Sequence, residues 1–536
     1  MIAHLDAFDR HYPHLFVYLR ERDEIKRGFR ERVKLSPKQY ERFWQQIVRE
    51  GVKNGEFRPD LDVQVVSYGI LGMLNWLYKW YRPQGRLSVR EVAEQLTALA
   101  GVTVPAPKRN LTRRSGESMK ISAFHLMPHR ELPADFEKRY ESVWVTPPWW
   151  ELADARRVGQ YYNWTLDELL YAAKCGFDGV CTNEHHQNAY GFMPNPNIMG
   201  SVLAKLTNDT NVAIVQMGAT LPTSNPPIRV AEEYAMLDCL SGGRLVAGLP
   251  LGSPMDVNLC YGITPMEHRE RYREAFALTL KAWQARELFA WNGRYYQLAN
   301  VNLWPRPIQQ PHPPVWVPGS GSISTFDFAV EHEVCYCFLS YSGAKAARSM
   351  MDKYWTVVTD KGREPNPYRA GFLQLVTVAD TDAQAEDKYA RHVEYFYHKC
   401  LHWPVQYLSP PGNQDYRSLV ASVSNPLRRT EDLKQLRYRD FVEKGYVISG
   451  SPATVRDRLM EEVVKGLHVG NLMVLLQIGS MPHELTLENV ELFARKVLPD
   501  LRDVWNDEGW VNHWWPERLR GAAARPPAAG VGASRA

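Results

Sequence analysis

The spacing of apolar positions changes character near residue 119. Before that point apolar residues recur every three or four positions, as on helices that bury one face. Tyr40, Phe43, Ile47 and Val48 follow Ser36-Pro37, a cap with a proline in the first turn. Val66, Ile70, Leu74 and Leu77 share one face of a helix predicted from Asp62 to Trp80, which Pro83 forbids from continuing. Ser88-x-x-Glu91 is a capping box that opens a third helix. Residues 1–102 are therefore expected to form a small all-α bundle, and residues 103–118, rich in Pro, Arg, Ser and Gly without periodicity, a linker.

Beyond Met119 short apolar runs alternate with amphipathic segments. Strands are predicted at 121–126, 177–183, 212–221, 245–249, 315–317, 334–339, 372–378 and 472–477. The first helix between them is read from the capping box Thr165-x-x-Glu168, and others cover 197–207, 229–240, 267–283, 324–331, 344–361, 451–465 and 485–497. Such alternation implies a parallel sheet, and about eight strands suffice for a (β/α)8 TIM barrel over residues 119–505. Two stretches depart from the repeat. Residues 289–298 carry Asn292-Gly293, a hairpin turn signal, and residues 395–447 form a long insertion. Its Trp403, Tyr407 and Tyr416 make it a candidate lid over an apolar substrate. A C-terminal extension, 506–536, is Ala-, Gly- and Pro-rich toward its end and expected to be disordered from 520.

Charge narrows the picture little. Lys plus Arg number 64 against 60 Asp plus Glu, a net +4 too even to imply a nucleic-acid or anionic-membrane partner. The seven cysteines are odd in number and mostly set among apolar residues, as reduced buried thiols are. With no apolar leader and no run of about 18 apolar residues, the expectation is a cytoplasmic protein.

Candidate chemistry clusters where strands end. Phe177-Asp178-Gly179-Val180-Cys181-Thr182-Asn183-Glu184-His185-His186 is an apolar strand running into a carboxylate and two imidazoles, at the end where such barrels gather their active sites. Strand alternation puts Glu184 and His186 on one side and His185 on the other, so one metal could hardly take all three. Paired ligands of the His-Glu-x-x-His kind are absent, and no metal is expected. An acid/base site is favoured over surface histidines, with the imidazole of His185 working near neutrality, where its ordinary pKa of about 6.5 places it. Pro318-Gly319-Ser320-Gly321-Ser322 follows a strand and precedes a helix; its small residues, hydroxyls and helix-start amides suit a phosphate, or equally an ordinary turn. Ser241-Gly242-Gly243-Arg244 reads as a helix stop with a left-handed glycine.

Two resemblances add to this reading. The run Asn75-Trp76-Leu77-Tyr78-Lys79-Trp80-Tyr81-Arg82-Pro83-x-Gly85-x-Leu87-Ser88 resembles the C-terminal, ligand-binding and dimerising half of tetracycline-repressor-type regulators. Their helix-turn-helix would precede it, so no nucleic-acid partner is expected, while the bundle faces suggest a homodimer or higher homo-oligomer. Gly176-Phe177-Asp178-Gly179 leading into Glu184-His185-His186, Leu221-Pro222-Thr223-x-x-Pro226, Ser241-Gly242-Gly243-Arg244-Leu245 and Val315-Trp316-Val317 are similar, in order and spacing, to the bacterial-luciferase-like flavin-dependent monooxygenases.

This second resemblance implies reduced FMN supplied by a separate NAD(P)H-dependent flavin reductase, and oxygenation of a small organic substrate by dioxygen. It makes His185 the catalytic acid/base, with Glu184 or a backbone carbonyl fixing its tautomer. Met217-Gly218 matches the place where the family can hold a non-proline cis peptide against the flavin ring. Gly319, Ser320, Gly321, Ser322 and Thr325 align with the loop that handles the flavin phosphate, and Arg269 with a basic residue near it. Where luciferase itself has a Cys-Arg pair, this chain has Pro250-Leu251, which argues against light emission. A deazaflavin oxidoreductase on the same barrel and a flavin-binding sensor are the alternatives.

Overall fold

Eight short apolar segments pair side by side because each is buried on both faces and can satisfy its backbone only against another strand. The computed structural model describes residues 117–339, 341–413 and 433–520, with short stretches between residues 42 and 68. The chain divides into two compact units, Met1–Arg113 and Arg114–Ala536. In the first, the described residues between 42 and 50 and residues 63–68 are helical, Trp44 and Val48 are buried, and the Val65 amide donates to Asp62 Oδ1 at 2.9 Å. The rest of the expected bundle, the linker through residue 116, Tyr416 and the tail 521–536 lie outside the described residues.

The second unit alternates strand and helix: β1 Lys120–Phe124, α1 Ala155–Lys174, β2 Gly179–Thr182, α2 Pro196–Leu206, β3 Ala213–Gln216, α3 Ile228–Ser241, β4 Leu245–Gly248 and α4 His268–Gln284. An antiparallel hairpin, β5 Phe289–Asn292 and β6 Gln297–Val301, follows where Asn292-Gly293 predicts it. Then come β7 Val315–Gly319, α5 Ile323–Glu331, β8 Cys335–Phe338, α6 Gly343–Asp360, β9 Ala370–Val378 and α7 Asp382–Tyr395. The order ends with β10 Val447–Gly450, α8 Pro452–Arg458, β11 Asn471–Leu475 and α9 His483–Lys496. Neighbours run β9-β11-β1-β2-β3-β4-β7-β8, and β8 pairs back onto β9, so eight parallel strands close a barrel. β10, which the apolar pattern does not separate from the insertion, pairs among the described residues with the outgoing half of β9, Leu375–Val378.

The expected helix start at Thr165 is a correction. The helix begins ten residues earlier, where Asp154 accepts from the Arg157 amide at 2.8 Å. Thr165 and Glu168 are buried in mid-helix, and the Glu168 carboxylate is occupied by Arg130, His125 and His483 rather than by a cap. The Ser-Gly-Gly-Arg motif is structural as read: Gly242 and Gly243 have φ of 66° and 78°, and buried Arg244 donates to the carbonyls of Ser241, Val212 and Ala204, tying α2 to the barrel wall.

The incoming end of the barrel is stoppered by the start of the C-terminal extension. A Cβ added to Gly179 would meet Ser122 Oγ at 2.5 Å and Trp515 Cη2 at 3.2 Å, so that strand position faces the axis and leaves room for the indole. Trp316 Nε1 donates to Trp514 O (2.8 Å), and Asn512 Nδ2 to Asn471 Oδ1 (3.0 Å). Burying an indole of roughly 200 Å² is worth about 5 kcal/mol of transfer energy, so these residues belong to the core.

Candidate active site

At the opposite, outgoing end the segment after β2 carries its ionisable groups where the sequence places them. His185 Nδ1 lies 3.0 Å from Asp256 Oδ2. The other oxygen of Asp256, which is 1% exposed, accepts from the His186 amide (2.8 Å) and Trp144 Nε1 (3.2 Å). A carboxylate only accepts, so in the neutral ring the proton sits on Nδ1 and Nε2 keeps its lone pair. Trp144 and Tyr190 meet the His185 ring edge-on at 4.8 and 4.9 Å between centroids and stack on each other. Asp256 stands on a π-helical turn, Met255–Cys260, after β4.

Glu184 takes a different partner from the one expected. Its Oε1 pairs with His186 Nε2 (3.0 Å) and accepts from the Thr220 amide (3.2 Å). Burial alone would lower the His186 pKa, but the hydrogen bond and charge of Glu184 outweigh it and the net shift is upward. The carboxylate therefore joins the β2 and β3 rims, while Asp256 is the group that orients His185.

Beside β2, the Met217–Gly218 peptide is cis. Met217 is buried, its amide bonded to Thr182 O (2.7 Å), and a Cβ on Gly218 would come within 2.0 Å of Gly248 O, so only glycine fits there. Tyr234 braces this crossing, accepting from the Ala219 amide (2.7 Å) and donating to Gly248 O (2.8 Å).

The Gly-Ser turn and Arg269 also meet. Arg269 Nη2 reaches Ser322 Oγ at 3.4 Å and its Nε donates to Asn413 O at 3.3 Å. Ser322 is the N-cap of α5, Gly321 has φ of 93°, and Thr325 lies beside Gly319. A guanidinium, serine hydroxyls and the first amides of a helix form a donor set suited to a phosphate. The β8 rim connects this turn to His185: the Leu339 amide donates to Gly319 O, and Tyr341 hydrogen-bonds Tyr190.

A cavity of about 450 Å³ opens at His185, walled by Val145, Pro147, Trp149, Tyr162, Phe192 and Pro194. Among the described residues no Asp, Glu, Lys or Arg lines it. His129, also in its wall, has both ring nitrogens engaged, with Leu152 O and the Glu131 amide. From the insertion, Trp403 packs edge-on against Trp144 and Tyr190, which puts one predicted lid aromatic at the site. The sequence gives no direct sign of Asp256 or Trp144, which come from other connections of the barrel.

The family model described as luciferase-like monooxygenase matches residues 150–468, and that of the tetracyclin repressor-like C-terminal domain matches residues 1–103. The oxygenase component of a flavin-dependent trigonelline monooxygenase from Acinetobacter baylyi is 28% identical over 34% of this chain, which spans about half (49%) of that protein. 2,5-diketocamphane 1,2-monooxygenase 2 of Pseudomonas putida is 24% identical over 65% of this chain and 96% of its own length. Among solved structures, the oxygenating constituent of a Pseudomonas putida 3,6-diketocamphane monooxygenase in complex with FMN, a type II Baeyer-Villiger enzyme, superposes with TM-score 0.53 at 19% identity. That match covers 71% of this chain and 98% of the other, a likeness of fold.

Proposed function

The chain belongs to the luciferase-like monooxygenase family, and on that premise we propose that it uses reduced FMN and dioxygen to oxygenate a small, uncharged organic molecule. The observation that carries the reading is the His185–Asp256 pair at the barrel mouth, opening onto an apolar cavity. The flavin supplies the oxygen chemistry when bound. Arg269, Ser320, Ser322 and the start of α5 would hold its phosphate, with Gly319, Gly321 and Thr325 shaping the turn, and Met217-Gly218 would lie against its ring. Asp256 keeps the Nδ1 proton of His185 in place, so Nε2 takes and returns the proton that moves during the reaction, a role typically worth about 100-fold to 10,000-fold in rate. Trp144, Tyr190 and Trp403 exclude water around that nitrogen. Glu184 acts through His186 and Thr220 as a positioning residue.

A wall without formal charge favours a neutral substrate over a carboxylate or an ammonium ion, because burying an unpaired ion is costly. A separate flavin reductase supplying FMNH2, by analogy with the trigonelline relative, an oxygenase component, and self-association of the chain complete the proposal. The test is anaerobic titration with reduced FMN, then oxygen. Wild type is expected to bind and to oxygenate, and His185→Ala to bind equally and turn over at least about 100-fold more slowly. Full turnover by the variant, or binding of a reduced deazaflavin in place of FMN with no oxygen uptake, would refute the proposal.

A further inference from the structure

Asn183 has no role in the arrangement above, yet it occupies its floor. The Gly179 position faces the barrel axis, as its approach to Ser122 and Trp515 shows, and strand side chains alternate. Cys181 and Asn183 therefore face inward too. Thr182 faces the helices, where its hydroxyl donates to Gln216 Oε1 beside Gly200 of α2. On β3, Val215 shares the inner face with Gly179, and the register Cys181↔Val215 extends one pleat outward to put Asn183 level with Met217. Asn183 thus stands one pleat below His185 and beside the Met217–Gly218 peptide.

The side chain of Asn183 is 4% exposed, and neither its Oδ1 nor its Nδ2 has a partner among the described residues. That is unusual, because buried carboxamides are ordinarily hydrogen-bonded. The contrast lies within the same barrel: at the incoming end Asn471 donates to Tyr368 O and Ala370 O and accepts from Asn512. On the inner face of β11 extended, buried Gln477 also has an unmatched Oε1. Inward amides are satisfied by protein below but only partly at the mouth, where Gln477 keeps one bond, from Nε2 to Gly479 O, and Asn183 has none among the described residues.

Resting on the flavin reading above, we propose that Asn183 is a cofactor-positioning residue that hydrogen-bonds the imide edge of the flavin. A carboxamide offers one donor and one acceptor side by side, which matches the N3–H and an adjacent carbonyl of the pyrimidine end. The dimethylbenzene end offers neither. A phosphate anchor at the β7 rim leaves open which end of the ring turns inward, and Asn183 fixes that choice, with the pyrimidine end toward the axis beneath His185.

The test uses oxidised FMN and N3-methyl-FMN, titrated by fluorescence against the full-length protein and Asn183→Leu. Wild type is expected to bind FMN about tenfold more tightly than the N3-methyl analogue, and the variant to bind FMN about tenfold more weakly and to lose the discrimination. Equal affinity of wild type for the two flavins overturns the inference without need of any variant. So does an Asn183→Leu protein that keeps wild-type affinity, which would mean that water satisfies the amide. Failure of wild type to bind any FMN would instead sink the flavin reading itself.

Discussion

Replacing Asp256 by asparagine should reverse the tautomer of His185. The carboxylate accepts three hydrogen bonds, from His185 Nδ1 at 3.0 Å, the His186 amide at 2.8 Å and Trp144 Nε1 at 3.2 Å. In Asp256→Asn the amide oxygen can stay with His186 and Trp144, which turns the NH2 group toward Nδ1. Two donors cannot pair, so the imidazole proton moves to Nε2 and Nδ1 becomes the acceptor. The bonds that persist become neutral and weaken by about 1 kcal/mol each, while relief from burying a charge offsets part of this. The net loss of stability should stay below roughly 2 kcal/mol. Asp256→Ala, by contrast, leaves two buried N–H groups unpaired, at roughly 1–3 kcal/mol each. Nitrogen-15 spectra of labelled histidine report the tautomer, urea unfolding reports the stability, and oxygen uptake with reduced FMN reports turnover. Turnover should fall about 100-fold to 10,000-fold in the asparagine variant. A His185 ring still protonated on Nδ1 in Asp256→Asn, or an alanine variant as stable as the asparagine one, would refute the reasoning.

Arg269→Leu should weaken FMN binding about tenfold to a hundredfold and leave riboflavin binding unchanged, because the guanidinium is assigned to the phosphate alone; fluorescence titration of both flavins checks this. Trp515→Ala should cost about 3–5 kcal/mol in chemical denaturation by emptying the lower barrel. For Glu168, burial alone would raise the pKa, but hydrogen bonds from His125 and His483 and the charge of Arg130 hold it down to about 2. Its folded value lies below the unfolded one, so its contribution, on the order of 3 kcal/mol, is present above about pH 4.5 and is lost as pH falls toward 2. His125, whose pKa burial lowers, adds loss in the same direction from about pH 6.5 downward. Unfolding free energies measured from pH 7 to 3 should fall accordingly, and Glu168→Gln should be less stable at pH 7 but flatter below pH 4.5.

Strands and helices of the barrel are legible because each apolar run ends in Gly, Pro or a polar cluster, and because burial on both faces leaves few alternatives to pairing. His185 is legible from its place at the end of β2. Asp256 is not: it follows β4 by a connection with no periodicity, and only chain closure brings it to residue 185. Thr165-x-x-Glu168 misleads because a capping box and a buried ion-pair network can share one residue pattern; the carboxylate is claimed by Arg130, His125 and His483 from elsewhere in the chain. The stopper escapes notice for a similar reason. Trp514-Trp515 lies in a segment with no repeating pattern, and its meaning comes from Gly179, more than 300 residues earlier.

That stopper orders events during translation. Trp514 and Trp515 leave the ribosome after every strand of the barrel, and their partners lie on strands made long before. A nascent chain can pair its early strands while synthesis continues, but the base of its core is not filled until residue 515 has emerged. A barrel unit lacking Trp514 and Trp515 would therefore carry its candidate site above an unsealed floor.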